Sequence, residues 1–154
     1  MTEQQIHDEI ISLLRSTGRR GIESVITYLH GSDFFTARCH HHHCFAGGLA
    51  QHSLETCSYA LANRGDLPED GVVIGSLLHD ICSSHSPQAA GISGHGRRSV
   101  GIIGSVCHFR LTRDEFEAIK LHMHGDAREM ATNALARLVF KADKLSARGQ
   151  VSLD

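Results

Sequence analysis

The sequence has no tryptophan, two prolines (Pro68 and Pro87) and only 5% aromatic residues. So little proline argues against a fold of short strands and turns, and favours helices. No apolar stretch approaches the ~20 residues that cross a bilayer. The opening MTEQQIHDEIISLL is polar and periodic, not a basic flank before an apolar run, so no secretory signal is expected. No run of one charge occurs and the formal net charge is −2, which gives no bulk electrostatic footprint for nucleic acid. The five cysteines (Cys39, Cys44, Cys57, Cys82 and Cys107) include no CxxC pair, and their number is odd. Free thiols in a reduced, cytoplasmic protein are the expectation.

What is present fits one domain. The 154 residues are 41% hydrophobic, enough for one core. Ile6, Ile10, Ile11, Leu13 and Leu14 form a helical stripe over Thr2–Ser16, with Thr2 as N-cap. Residues 21–30 predict a second short helix, although β-branched content leaves a strand open. Residues 31–48 read as irregular. Leu49, Leu54, Cys57, Ala60 and Leu61 predict a helix to Asn63, broken by Gly65 and Leu67-Pro68. Residues 69–81, with Val72, Val73, Ile74, Leu77 and Leu78, are apolar enough for a nearly buried helix. A Ser, Gly and His loop over 83–96 precedes a helix from Arg97 to Phe109 carrying Val100, Ile103 and Val106. Thr112 and Glu115 form a capping-box pattern for a helix through Phe116, Ile119 and Leu121. A last helix covers 131–148, with Leu135, Leu138, Val139, Ala142 and Leu145 inward. The sum is an all-α domain of six or seven helices. Residues 1–30 would pack on a domain formed by 31–154, capping it or making a homodimer contact.

Thirteen histidines are the outlier. Imidazole binds transition metals well and titrates near neutral pH. His52 lies in the first turn after Gly47-Gly48, and His79-Asp80 ends the most apolar segment. An ionised aspartate there is costly without opposite charge or hydrogen bonds. His95 opens a helix, His122 ends one, and Asp143 lies in the last. Imidazoles and carboxylates on separate helices can form an octahedral N/O site, which suits Fe, Mn, Co, Ni or Zn and disfavours Ca. His40–His43, between Cys39 and Cys44, admit a structural zinc site, but four adjacent residues cannot all face one ion.

The order His52, His79-Asp80, Asp143 resembles the HD superfamily of metal-dependent phosphohydrolases. HHCFAGGLAQHS (42–53) is similar to a segment of some HD proteins, including the HD domain of certain bacterial 3′-to-5′ exoribonucleases. LLHDI resembles the step carrying the name-giving pair, and GHGRRSV and AIKLHMH the added histidine segments of two-metal members. The resemblance covers about Cys39 to Arg148 and implies an HD-type helical bundle. It implies that His52, His79, Asp80 and Asp143 hold one metal. Asp80 would bridge to a second, completed by His95 and His122, with His124 as the alternative to His122. One or two divalent transition metals per chain are thus expected. Asp80 would act with a metal-activated water on a nucleotide or other small phosphorylated substrate.

One departure stands out. Many HD hydrolases read HDxxK, with the lysine approaching phosphate; this chain reads HDICS, with Ser83 at that place. Arg97, Arg98 and Lys144 are the substitutes for the phosphate clamp, because guanidinium forks and an ammonium both suit phosphate. His42 and His43 would line the pocket, and His40 and His41 receive no role. Cys57, Cys82 and Cys107 read as small buried residues. Two other readings remain: a di-iron oxygenase, which some HD proteins with six ligands are, and a non-catalytic metal or nucleotide sensor.

Overall fold

In the computed structural model, which describes residues 1–83, 94–123 and 130–153, the chain forms seven α-helices and no strand among those residues. They are α1 (Glu3–Ser16), α2 (Ile22–Gly31), α3 (Gly48–Ala62), α4 (Glu69–Leu77), α5 (His95–Gly101), α6 (Arg113–Leu121) and α7 (Ala134–Ala147). A 3₁₀ turn covers Ile81–Ser83, and a π turn covers Ile102–Val106. The all-α expectation holds, and no helix is long and apolar enough to cross a membrane.

The helices start where the sequence supplies caps. Thr2 Oγ1 accepts from the Gln5 amide at 3.2 Å, and Gln5 Oε1 accepts from the Thr2 amide at 2.7 Å. Thr112 and Glu115 repeat this box at the head of α6. Asn133 caps α7 through its side-chain oxygen, which accepts from the Ala136 amide at 3.0 Å.

Three expected elements differ. The fourth helix ends at Leu77, not Ile81. The Ser76 carbonyl accepts from His79 Nδ1 at 2.7 Å, and the His79 carbonyl accepts from the Ser99 hydroxyl at 2.7 Å. Side chains thus satisfy carbonyls that another helical turn would have used, and His79-Asp80 are free to face inward. The helix expected over 97–109 starts two residues earlier and widens at its end. The Cys107 amide reaches back five residues to the Ile102 carbonyl at 2.9 Å, and His108 then turns with φ 51°. In α6, Phe116 is 43% exposed whereas Glu115 is 1% exposed, the reverse of what their hydrophobicity suggests.

A main core gathers Ile6, Ile10 and Leu14 of α1, Val25 and Leu29 of α2, and Leu49 and Leu54 of α3, against Ile74, Leu77 and Leu78. A smaller core joins Ala60, Val72 and Ala118 to Leu135, Val139 and Ala142 of α7. The buried face of α7 runs Leu135, Ala136, Val139, Ala142, Asp143 and Ser146, while Leu138 and Leu145 are only partly covered. Two polar side chains on that face therefore point into the bundle.

Glu115 is a buried carboxylate with a permanent cation beside it. Arg19 grips both of its oxygens, Nη2 to Oε2 at 3.2 Å, and also reaches Asp70 Oδ2 at 3.2 Å. Removing one member of a buried pair leaves an uncompensated charge. Arg19→Met should lower the unfolding free energy by about 3 kcal/mol in urea titration. A loss below about 0.5 kcal/mol would show that the Thr112 amide alone satisfies Glu115.

Candidate metal centre

Five elements deliver imidazoles and carboxylates to one interior place. His52 comes from α3, His79 and Asp80 from the turn after α4, His122 from the end of α6, Asp143 from α7, and His95 from the start of α5. His52, His79 and His122 are fully buried, and Asp80 and Asp143 are nearly so.

The hydrogen bonds fix which nitrogen of each ring carries the proton. A carbonyl oxygen only accepts, so His79 Nδ1 donates to Ser76 O at 2.7 Å and His122 Nδ1 donates to Ile119 O at 2.6 Å. At His52 the logic runs through two bonds. The Ser146 hydroxyl donates to the Glu55 carboxylate at 2.7 Å, so its oxygen is left to accept from His52 Nδ1 at 2.9 Å. Glu55 is itself held by Gln51 Nε2 at 2.8 Å and by His43 Nε2 at 3.0 Å. With Nδ1 protonated, His52 and His79 turn Nε2 lone pairs inward, while His122 Nε2 meets Asp80 Oδ1 at 3.0 Å.

These lone pairs converge on carboxylate oxygens. His52 Nε2 and His79 Nε2 lie 3.2 Å apart, and Asp143 Oδ1 lies 3.2 Å from His52 Nε2 and 3.9 Å from His79 Nε2. Asp80 Oδ2 is 3.8 Å from both. Its other oxygen turns away: Oδ1 is 3.0 Å from His122 Nε2 and 4.0 Å from His95 Nδ1. The carboxylate of Asp80 therefore faces two groups of nitrogens, one per oxygen.

Electrostatics agree with this division. Burial pushes His79 down to about 4, and His122 and His52 push the same way against Asp80 and Asp143, so His79 does not carry a proton to relieve the lone-pair contact. Burial alone would raise Asp80, but His79, His122 and His52 outweigh it and hold the carboxyl well below its usual range. The same holds for Asp143, where burial is outweighed by His52, His79 and Lys144. Burial would lower His122, but Asp80 by hydrogen bond and charge, the Ile119 carbonyl and Asp143 together outweigh it and raise the ring. Opposed lone pairs beside ionised carboxylates are the donor set a divalent transition cation takes, so the residues present fit such an ion.

The expected ligands are thus brought together unequally. His52, His79 and Asp143 form one triad, and His79, Asp80 and His122 a second. His95 also reaches Asp80, but in a third triad with Cys82, and its side chain is 49% exposed. His124 lies outside the described residues. Cys39 and Cys44 join no group of three possible ligands among the described residues, which leaves the finger-like reading of the histidine run without support. In that run His40 and His41 are exposed. The His42 ring packs 4.4 Å from the His52 ring, and His43 is tied to Glu55. His43 sits at φ 47°, and its carbonyl comes so near Gly48 that a Cβ there would lie 1.9 Å away. Lys144 Nζ is 3.1 Å from Asp143 Oδ2, Arg98 is partly buried, and Arg97 is exposed.

Glu55 and Ser146 were not expected. Each occupies a helix position that reads as an ordinary polar residue. The signal is only in the three-dimensional pairing of Ser146 with a histidine 94 residues earlier. Ser146→Ala removes the acceptor that orients His52 and should weaken metal affinity by about 10- to 100-fold, measured by competition with a chromophoric chelator. An unchanged affinity would mean that packing alone holds the ring.

The HD domain family matches residues 49–148. No curated protein and no solved structure matches the chain. The matched span carries His52, the His79-Asp80 pair and Asp143 in the order that gives the geometry above, while α1, α2 and the histidine run precede it. The chain belongs to the HD domain family.

Proposed function

We propose that this protein is a metal-dependent phosphohydrolase acting on a nucleotide or another small phosphorylated compound. The observation that carries the reading is the split Asp80 carboxylate, with Oδ2 toward His52 and His79 and Oδ1 toward His122. The HD family includes many metal-dependent hydrolases, which supports the same reaction class.

A divalent cation held by these residues would neutralise phosphoryl oxygens and acidify water. His52, His79, Asp80 and Asp143 would hold the first ion. Asp80 with His122 would offer a second position, and His95 stands within reach of it. The protein's own task is then to grip phosphate. Ser83 offers a hydroxyl where the HDxxK pattern has a cation, so the charge must come from elsewhere. Lys144 is the best placed. Its ammonium touches Asp143 and rests over the Phe140 ring, with 35% of the side chain exposed. Arg98 acts electrostatically on the neighbouring Cys82, which puts it on the cluster's side of α5, whereas Arg97 is exposed. His42, partly exposed beside His52 with its Nδ1 3.2 Å from His43 Nδ1, would meet a substrate, while His43 is engaged by Glu55.

The test measures bound metal by elemental mass spectrometry and phosphate release across a panel of phosphorylated compounds, for wild type and Asp80→Ala. The wild type should hold a transition metal and release phosphate, and the variant should lose both. Metal retained in Asp80→Ala would overturn the site. Iron with O₂ consumption and no phosphate release would give the protein to the oxygenase class instead. Tight nucleotide binding without turnover would make it a sensor. Lys144→Met should raise KM for the active substrate about tenfold or more, the worth of one charge-assisted hydrogen bond, with a smaller effect on kcat. An unchanged KM would move the clamp to Arg98.

A further inference from the structure

Asp80 belongs to one more group of possible ligands, and its third member is a sulfur. Cys82 follows Asp80 on the 3₁₀ turn, is 5% exposed, and places Sγ 3.6 Å from His95 Nδ1. Ligand atoms of Asp80, Cys82 and His95 all lie within 4.8 Å of one another. We propose that Cys82 is a thiolate ligand at the second metal position, making that position a mixed oxygen, nitrogen and sulfur site.

The fold holds this sulfur in place. The Cys82 amide donates to Ser99 Oγ at 3.3 Å, and the Ser99 hydroxyl donates to the His79 carbonyl at 2.7 Å. Ser99 is buried on α5, one turn beyond His95. A single hydroxyl therefore pins the turn carrying His79, Asp80 and Cys82 against the helix that carries His95. A buried cysteine usually serves as a small apolar residue, and Cys57 and Cys107 fit that description, since neither joins a ligand group among the described residues. Cys82 is the buried cysteine whose sulfur meets an imidazole and a carboxylate.

Ligation is balanced simply. The S–H bond breaks, the sulfur pair forms the bond to the cation, and the proton leaves to solvent. Burial pushes the free thiol up to about 11, so without a cation it stays protonated. A bound cation supplies the charge that reverses this. A thiolate also sets the order of metals. It favours zinc, cobalt and ferrous iron at this position and disfavours magnesium and manganese, which prefer oxygen. The two positions would then differ: the first has only nitrogen and oxygen donors, and the second adds sulfur.

The proposal rests on the metal reading of the cluster, and cobalt(II) separates the two. Cobalt held by nitrogen and oxygen gives weak visible bands. A thiolate adds an intense charge-transfer band in the near ultraviolet. The full chain should show both kinds of band when titrated with cobalt. Cys82→Ser should keep the visible bands and lose the near-ultraviolet one, and Cys44→Ser should keep both. Visible bands without charge transfer in the wild type would overturn the proposal and leave the metal centre standing. A charge-transfer band that survives in Cys82→Ser would also overturn it, assigning the sulfur to another cysteine. No cobalt bands at all would sink the metal reading and this proposal with it. Should Cys82→Ser fail to fold, X-ray absorption of zinc-loaded Cys44→Ser protein decides. A sulfur shell at about 2.3 Å supports the ligand, and a purely nitrogen and oxygen shell overturns it.

Discussion

The charge of Asp80 is the constraint around which the bundle is arranged. An ionised carboxylate in an apolar interior costs several kcal/mol unless its oxygens are engaged. The chain meets that cost by bending local structure toward the carboxylate. The fourth helix stops short so that His79-Asp80 sit on a turn, with the Ser76 and His79 carbonyls satisfied by side chains. His122 arrives at the end of α6, and Asp143 occupies the buried face of α7. Each adjustment brings a nitrogen or oxygen to a place that apolar packing alone would have filled with a methyl group.

Glu115, set beside Asp80 and Asp143, shows why one buried carboxylate is structural and the others form a candidate site. Glu115 faces Arg19, which is permanently charged, and closes a capping box; its demand is met within the protein. Asp80 and Asp143 face His52 and His79, whose Nδ1 protons are committed to outward bonds, so their inward nitrogens offer lone pairs rather than positive charge. His122 and Lys144 supply some cationic character at the margins. Between them, the contact of His52 Nε2 with His79 Nε2 is one that a bound cation would compensate. Locking all three Nδ1 atoms also means that the rings need not reorient on binding, which is the usual benefit of partners behind metal ligands.

Much of the fold was legible because helix caps and apolar periodicity are local. Thr2 and Thr112 cap where their side chains and the following Gln5 and Glu115 predict. The order of His52, His79-Asp80 and Asp143 was legible through the family pattern. What could not be read were the polar pairings across distance. Glu55 and Ser146 lie 91 residues apart and meet only because α3 packs on α7. Periodicity tells which face of a helix is apolar, but not that Asp143 and Ser146 on that face have partners waiting. For the same reason the apolar pattern of α6 does not tell that Glu115 is buried and Phe116 exposed: the deciding interaction is with Arg19, 96 residues earlier.

The turn HDICS gathers the departures that matter for chemistry. Ser83 stands where the HDxxK pattern has its cation, and Lys144, bonded to Asp143, comes from α7 instead. A phosphate gripped from α7 would approach the centre from a different side than one gripped from the turn after Asp80. That side also carries the half-exposed His95 and the Cys82 thiol, so it is more polarisable and less positive than a lysine would make it. Under the proposed reaction, such a site would discriminate less by attraction to a highly charged substrate and more by how a bound metal meets one phosphoryl group. The histidine run reinforces this. His42 covers His52 with a ring whose basicity is lowered by burial and by His52 and His43. Under the proposed reaction, the positive charge that phosphate needs would come mainly from a cation held by the buried carboxylates, with Lys144 beside Asp143.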